Sequence, residues 1–164
     1  MIRDEELAAY VELARTRRLT LLLDEFYSHF VYADERPGAG PVSAAAFVED
    51  VEQDPVLLVD GLTKSFRYPG WRVGWALGPA AMVDALTRAA SAIDGGPSQP
   101  VQRAAVEVLA SARADQETAA LRRVFSRKCN LMLERLARMG IRCPFPSEGT
   151  FYVWASLADM PAPF

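Results

Sequence analysis

The chain has 164 residues, 51% of them apolar and 24% charged, with a formal net charge of −3. That length fits one ordinary domain with a sizeable core, and that balance belongs to a folded rather than a disordered chain. Mild acidity without a basic stripe speaks against nucleic acid as a partner, and no apolar run approaches the roughly 20 residues that span a bilayer.

In chain order, "MIRDEELAAYVELARTRR" is acidic and amphipathic, unlike a signal or transit peptide. Asp4 is placed to cap a first helix, Glu5 and Glu6 suit its first turn, and Leu7, Val11 and Ala14 recur at helical spacing. Arg15, Arg17 and Arg18 suit its C-terminal end. "LTLLLDEF" does not alternate and reads as a short, fully buried strand. A loop with Pro37, Gly38, Gly40 and Pro41 follows, then a short helix near 43–52. "PVLLVDGL" is a second buried strand and "WRVGWALGP" a third. A helix runs from Pro79 to about Ile93 and breaks at Gly95-Gly96-Pro97; "QPVQRAAVEVLA" is helical, and 113–139 form one long helix ended by Gly140. Arginines 122, 123, 127, 135 and 138 give that helix a solvated or interdomain face. "IRCPF" and "GTFYVWASL" read as two further strands, the second with the packed aromatics Phe151, Tyr152 and Trp154.

Helix, buried strand, helix, buried strand is the pattern of an α/β layer with a mostly parallel sheet flanked by helices. Both ends of the pattern look cut from something larger, since the first helix lacks the preceding strand that a crossover needs. Cys129 and Cys143 have no metal-ligand spacing and suit a reducing cytoplasm, and His29 is the only histidine, so no metal site is expected.

Polar residues at the carboxyl ends of the strands are the place to look for chemistry. The first strand ends in Asp24, with Tyr27 three residues on; the second leads through "GLTK" to Lys64, and Arg72 opens the third. Of 18 lysines and arginines, only Lys64 and Lys128 are lysines. Each of these residues has a bland reading singly, as a turn cap, a packed ring or a surface charge. Together they are an acid, a phenol, an amine and a guanidinium at one sheet edge. A lysine nucleophile forms a Schiff base with an aldehyde. Pyridoxal 5′-phosphate needs such a lysine, a carboxylate for its ring nitrogen and donors for its phosphate, which an arginine grips with two parallel bonds.

"DEFY" and "GLTKSFRYPGWRVGW" resemble the class I and II aminotransferases, fold-type I pyridoxal-phosphate enzymes. Gly61, Thr63, Lys64, Gly70, Arg72, Val73 and Gly74 match the family's lysine motif, and Asp24 and Tyr27 its Asp-x-x-Tyr. The resemblance implies that Lys64 is the Schiff-base lysine and Arg72 the phosphate clamp. It assigns Asp24 to the ring nitrogen and Tyr27 to the ring oxygen, while Thr63 offers the phosphate a hydroxyl in place of the serine that many members carry at position 61. It also implies amino acid and 2-oxo acid substrates, a cytoplasmic homodimer with shared active sites, and no nucleic acid or membrane partner. Gln102 with "AAVEVL", and "PSEGTFYVWASL", resemble the helix that follows and the entry to the small domain. Residues 1–112 then belong to the large cofactor-binding domain, and 113–164 to an interdomain helix and the start of a small α/β domain.

Gly61 stands where many members carry a phosphate-binding serine, and Arg67 and Tyr68 where the pattern prefers a small and an aliphatic residue. Arg67 and Tyr68 read either as substrate-facing or as surface packing. The family's glycine-rich phosphate loop, stacking aromatic, Asn-Pro motif and substrate-carboxylate arginine have no counterpart here, so the resemblance is to the middle of an aminotransferase. By itself this stretch is expected to bind the cofactor weakly and to turn over no substrate. Another reaction on the same scaffold, a lyase or synthase, is an alternative, as is a non-catalytic fragment or sensor module.

Overall fold

In the computed structural model, which describes residues 2, 4–32, 41–145 and 147–160, the first helix forms as α1 (Glu5–Arg17) and buries Leu7, Val11 and Ala14. Asp4 does not cap it through its side chain: its φ of 50° is left-handed, whereas a capping side chain works from extended backbone. Arg15 does more than end the helix. Its Nε donates to Asp54 Oδ1 at 2.6 Å, and its Nη2 donates to Asp54 Oδ2 and to the Phe47 carbonyl, both at 2.8 Å. The buried Asp54 carboxylate also accepts the amides of Glu49 and Asp50. One carboxylate therefore ties α1 to the loop that enters the second strand.

The sheet has the order β1 (Leu21–Asp24), β2 (Val56–Gly61) and β3 (Gly74–Leu77). β1 and β2 are parallel, with Leu21 opposite Val56 and Asp24 opposite Val59. Within their connection, the helix expected over 43–52 is only a 3-10 turn, Ala44–Phe47. Asp54 takes the Glu49 and Asp50 amides that a longer helix would use. The expected loop at Pro37, Gly38 and Gly40 lies outside the described residues.

β3 runs antiparallel to β2, with Gly61 opposite Gly74, so the sheet is mixed rather than mostly parallel. A parallel return needs a crossover, usually helical. The link over 62–73 contains only the 3-10 helix Pro69–Trp71 and turns straight back. The α/β class stands. α1 packs on one sheet face, where Leu7 and Val11 meet Val56, Leu58, Leu21 and Leu23. On the other face Leu22 is 58% exposed, so β1 is not the fully buried strand its apolar run suggests.

Three more helices complete the order: α2 (Ala80–Ile93), α3 (Gln99–Val108) and α4 (Ser111–Arg138). The Ala80 amide at the start of α2 donates to the Glu52 carboxylate. Gly140, with φ of 76°, comes just after α4 and donates its amide to Ala137, as a left-handed helix stop requires. Along α4, Arg123, Arg127, Arg135 and Arg138 are exposed while Arg122 is half-buried. A second cluster of Leu62, Phe66, Val73 and Ala105 joins the 62–73 link to α3.

The two last strands do not form. Only isolated bridges remain, Arg142 to Ser156 and Val31 to Gly149. Pro144 has no amide to offer, Thr150 adopts φ of 63°, and the Tyr152 amide is spent locally on Thr150 Oγ1.

The Arg15 guanidinium holds the Asp54 carboxyl far below the usual carboxylate range. A depressed folded pKa means that its contribution is complete above the unfolded value of about 4 and is lost as pH falls below it. Urea unfolding midpoints should therefore drop on acidification from about pH 5 to pH 2. Asp54→Asn should be less stable at neutral pH and show a flatter decline; an unchanged slope in that variant would contradict the assignment.

Candidate active site

β1 and β2 run in parallel and end together, so Asp24 closes one strand while Asp60 and Gly61 close its neighbour. A close backbone approach then brings the segment after β1 against the segment after β2. Gly61 and Gly74 face each other across β2 and β3. A Cβ on Gly61 would lie 2.7 Å from the Val73 carbonyl oxygen and 2.8 Å from Phe26 Cε1; one on Gly74 would lie 3.0 Å from the Asp60 carbonyl oxygen. The glycine pair leaves the space in which the Phe26 ring sits. Ser65, fully buried, donates its hydroxyl to the Phe26 carbonyl at 2.9 Å. Phe26 precedes Tyr27, and Ser65 comes directly after Lys64. These contacts therefore fix the phenol against the amine.

The Lys64 Nζ lies 5.8 Å from the centroid of the Tyr27 ring and 5.3 Å from that of Phe151. Tyr27 Oη donates to Tyr152 Oη at 3.3 Å. Loss of water around the Tyr27 phenol, the bond to Tyr152 and the negative charge of Asp24 push its pKa up to about 12, so it is a proton donor at neutral pH. Asp24 is exposed, and its Oδ1 accepts the Phe26 amide at 3.2 Å. Beneath it, Asp60 Oδ1 accepts the Gly61 amide at 2.6 Å; burial first, and then Glu25 and Asp24, raise the Asp60 pKa to about 6.

The sequence-derived set is only partly assembled. Tyr27 and Lys64 are brought together, and Asp24 lies close enough to Tyr27 to act on its phenol. Thr63 and Arg72 lie on the same link, but among the described residues no hydrogen bond or ion pair joins either to that trio. The exposed Arg72 guanidinium folds back, its Nη1 donating to the Pro69 carbonyl at 3.1 Å. Arg67 pairs with Glu117 of α4, and the Tyr68 ring lies on Trp71 at 4.4 Å between centroids. The structure also gives Gly61 a reason other than a lost phosphate contact, since no side chain fits there.

Phe26 and Ser65 are neighbours that sequence reasoning passed over, and Phe151 and Tyr152 are neighbours that it read only as strand packing. Two glycines bracketing the lysine segment are the signal that something bulky must pass close by. For Phe151 and Tyr152, strand-like periodicity concealed the turn at Thr150 that aims them. A cavity of about 400 Å³ opens beside Asp24, Tyr27 and Ser28. A larger one of about 460 Å³, between α4 and residues 150–155, shares Phe151 and Tyr152 with the Lys64 side but carries none of the titratable trio. His29 packs edge-on against Phe66, and burial together with Arg122 lowers its pKa to about 4, so it is neutral at physiological pH. Among the described residues no cluster of His, Cys, Asp and Glu could hold a metal, and no helix is long and apolar enough to cross a membrane.

A profile described as "Aminotransferase class I and II" matches residues 1–160. The chain is 30% identical over 151 residues to a probable aspartate/prephenate aminotransferase of Thermus aquaticus, covering 92% of this chain and 37% of that protein. It is 31% identical over 150 residues to the aspartate/prephenate aminotransferase of Thermus thermophilus, covering 91% and 36% respectively. Among solved structures, a single mutant of Thermus thermophilus aspartate aminotransferase superposes with a TM-score of 0.81 at 28% identity, over 98% of this chain and 40% of that one. The chain thus spans a little over a third of the length of these relatives.

Gly61→Ala should cost about 1–3 kcal/mol, because the new methyl meets backbone that cannot yield cheaply. Ser65→Ala should cost about 1–3 kcal/mol by leaving the Phe26 carbonyl without its buried donor. Nothing lies within 4 Å of a Cβ on Gly70, so Gly70→Ala should stay within about 0.5 kcal/mol of the parent. Denaturant unfolding compares the three, and a Gly61→Ala chain as stable as Gly70→Ala would contradict the close approach.

Proposed function

Because the chain belongs to the class I and II aminotransferase family, we propose that this sheet edge is the cofactor site of a pyridoxal 5′-phosphate-dependent transfer of an amino group from an amino acid to a 2-oxo acid. The observation that carries the reading is Lys64 beside the Tyr27 ring, with Asp24 acting on the same phenol, where two parallel strands end. The donor set fits the group: an amine for its aldehyde, a protonated phenol for its ring oxygen and a carboxylate for its ring nitrogen. When bound, pyridoxal phosphate supplies an electron sink for the substrate's α-carbon and a carbon that carries the amino group.

Lys64 would hold the cofactor covalently through Nζ, and the flanking Tyr27 and Phe151 rings limit water around that nitrogen. Tyr27 would donate its Oη proton to the ring oxygen, a role its raised pKa suits at neutral pH. Asp24, a carboxylate at the exposed end of β1, would keep the ring nitrogen protonated. Thr63 and Arg72 would take the phosphate, which requires the Arg72 guanidinium to leave the Pro69 carbonyl. An arginine offers two parallel bonds to phosphate, more than that single carbonyl returns.

The wider reading rests on the same site. Residues 1–112 form part of a larger cofactor-binding domain, and 113–164 lead into a smaller one. The working protein is a cytoplasmic homodimer with shared active sites. Leu86, Ile93 and Val106 on α2 and α3 are exposed, and Ile93 at 83% is a side chain that a partner surface would relieve.

Borohydride reduction of the full-length polypeptide with pyridoxal phosphate, and then peptide mapping, should place the pyridoxyl group on Lys64. Label on Lys128 would overturn the assignment. Asp24→Asn should keep the label but slow transamination by roughly 10- to 150-fold, the equivalent of losing a charge-assisted bond of about 1.5–3 kcal/mol. Full activity in that variant would remove the ring-nitrogen role.

A further inference from the structure

Residues 149–155 come far later in the chain than Tyr27, yet they are pinned against it. Gly149 bridges to Val31, the Thr150 amide donates to the Phe30 carbonyl at 2.9 Å, and the Tyr32 amide donates to the Glu148 carbonyl at 2.8 Å. At Thr150 the left-handed backbone and the Oγ1 bond to the Tyr152 amide turn the next two side chains toward Tyr27. Phe151 meets Tyr27 edge-on at 5.5 Å, and Tyr152 meets it at 6.0 Å. Tyr152 is nevertheless 62% exposed. Its ring is held there by contacts rather than burial: it packs on Phe151 at 4.6 Å between centroids, and its hydroxyl accepts a hydrogen bond from that of Tyr27.

Resting on the function proposed above, we propose that Tyr152 is a positioning residue for that site: its hydroxyl oxygen accepts the Tyr27 proton and so fixes the direction of the Tyr27 O–H beside Lys64. A phenol both donates and accepts. Tyr152 can therefore hold the Tyr27 proton while no ligand is present. When Tyr27 donates to a ligand oxygen, the Tyr152 hydroxyl can turn and donate to Tyr27 instead. Phe151, the preceding residue, covers the Lys64 amine from the same side. The segment thus supplies one wall of the site and the second hydroxyl of a phenol pair.

Tyr152→Phe keeps the ring and removes only the hydroxyl. In the full-length polypeptide labelled with 13Cζ-tyrosine, without cofactor and at neutral pH, the Tyr27 resonance should shift in Tyr152→Phe. In addition, capture of pyridoxal phosphate, monitored by absorbance, should weaken roughly 3- to 10-fold. The Tyr27→Phe/Tyr152→Phe double variant should bind no worse than Tyr27→Phe alone. An unmoved Tyr27 resonance, or a double variant that loses the sum of both single effects, would overturn the proposal. If the resonance moves but the parent captures no pyridoxal phosphate, the phenol pairing stands and the function proposed for the site fails.

Discussion

The site depends on one steric fact: β2 and β3 approach so closely at Gly61 and Gly74 that a Cβ on Gly61 would strike the Val73 carbonyl and the Phe26 ring, and one on Gly74 would crowd the Asp60 carbonyl. With the ring seated there, the Phe26 carbonyl reaches the buried Ser65 hydroxyl. The residues next to each partner, Tyr27 and Lys64, are then held face to face. Packing fixes this arrangement more firmly than charge could. The amine and the phenol are partly exposed and would gain little from each other in water, whereas a filled contact and a buried hydrogen bond leave few alternatives.

The rest of the fold serves that edge from a distance. Asp54 gathers Arg15 and two loop amides, which fixes where β2 begins relative to α1. The parallel register then fixes where both strands end. Two opposing titrations lie near the site. His29 must charge as pH falls through about 6.5 to 4, which destabilises the fold, while Asp60, with its pKa raised to about 6, favours the fold over much of the same interval. The two slopes have opposite sign, and the acid loss at Asp54 sets in below that range.

The parts legible in the sequence are those with strong local signals. Helical spacing located α1, and glycines marked the ends of α2 and α4. The motif around Lys64 identified the family to which the chain's relatives belong, and the α/β class came from alternating helices and apolar strands. The parts that were not legible depend on where chain segments meet. An apolar run cannot say whether the third strand returns parallel or antiparallel; the helix-free link over 62–73 decides that. The aromatic and apolar run at 151–154 looks like a strand, but the Thr150 side chain takes the amide that a strand would need. Asp4 has the right residue type for a cap but the wrong backbone. Gly61, conspicuous as a departure from the family motif, is a packing requirement seen only once Phe26 is in place.

As proposed, this strand end orients a pyridoxal phosphate through Lys64, Asp24, Tyr27 and Arg72. A crystal structure of the full-length polypeptide grown with the cofactor tests all four at once. Continuous density should run from Lys64 Nζ to the cofactor, with the Asp24 carboxylate within hydrogen-bond reach of the ring nitrogen and the Tyr27 hydroxyl at the ring oxygen. The Arg72 guanidinium should have moved from the Pro69 carbonyl to the phosphate. A cofactor lodged elsewhere, with Lys64 unmodified and Arg72 still on Pro69, would contradict the assignment.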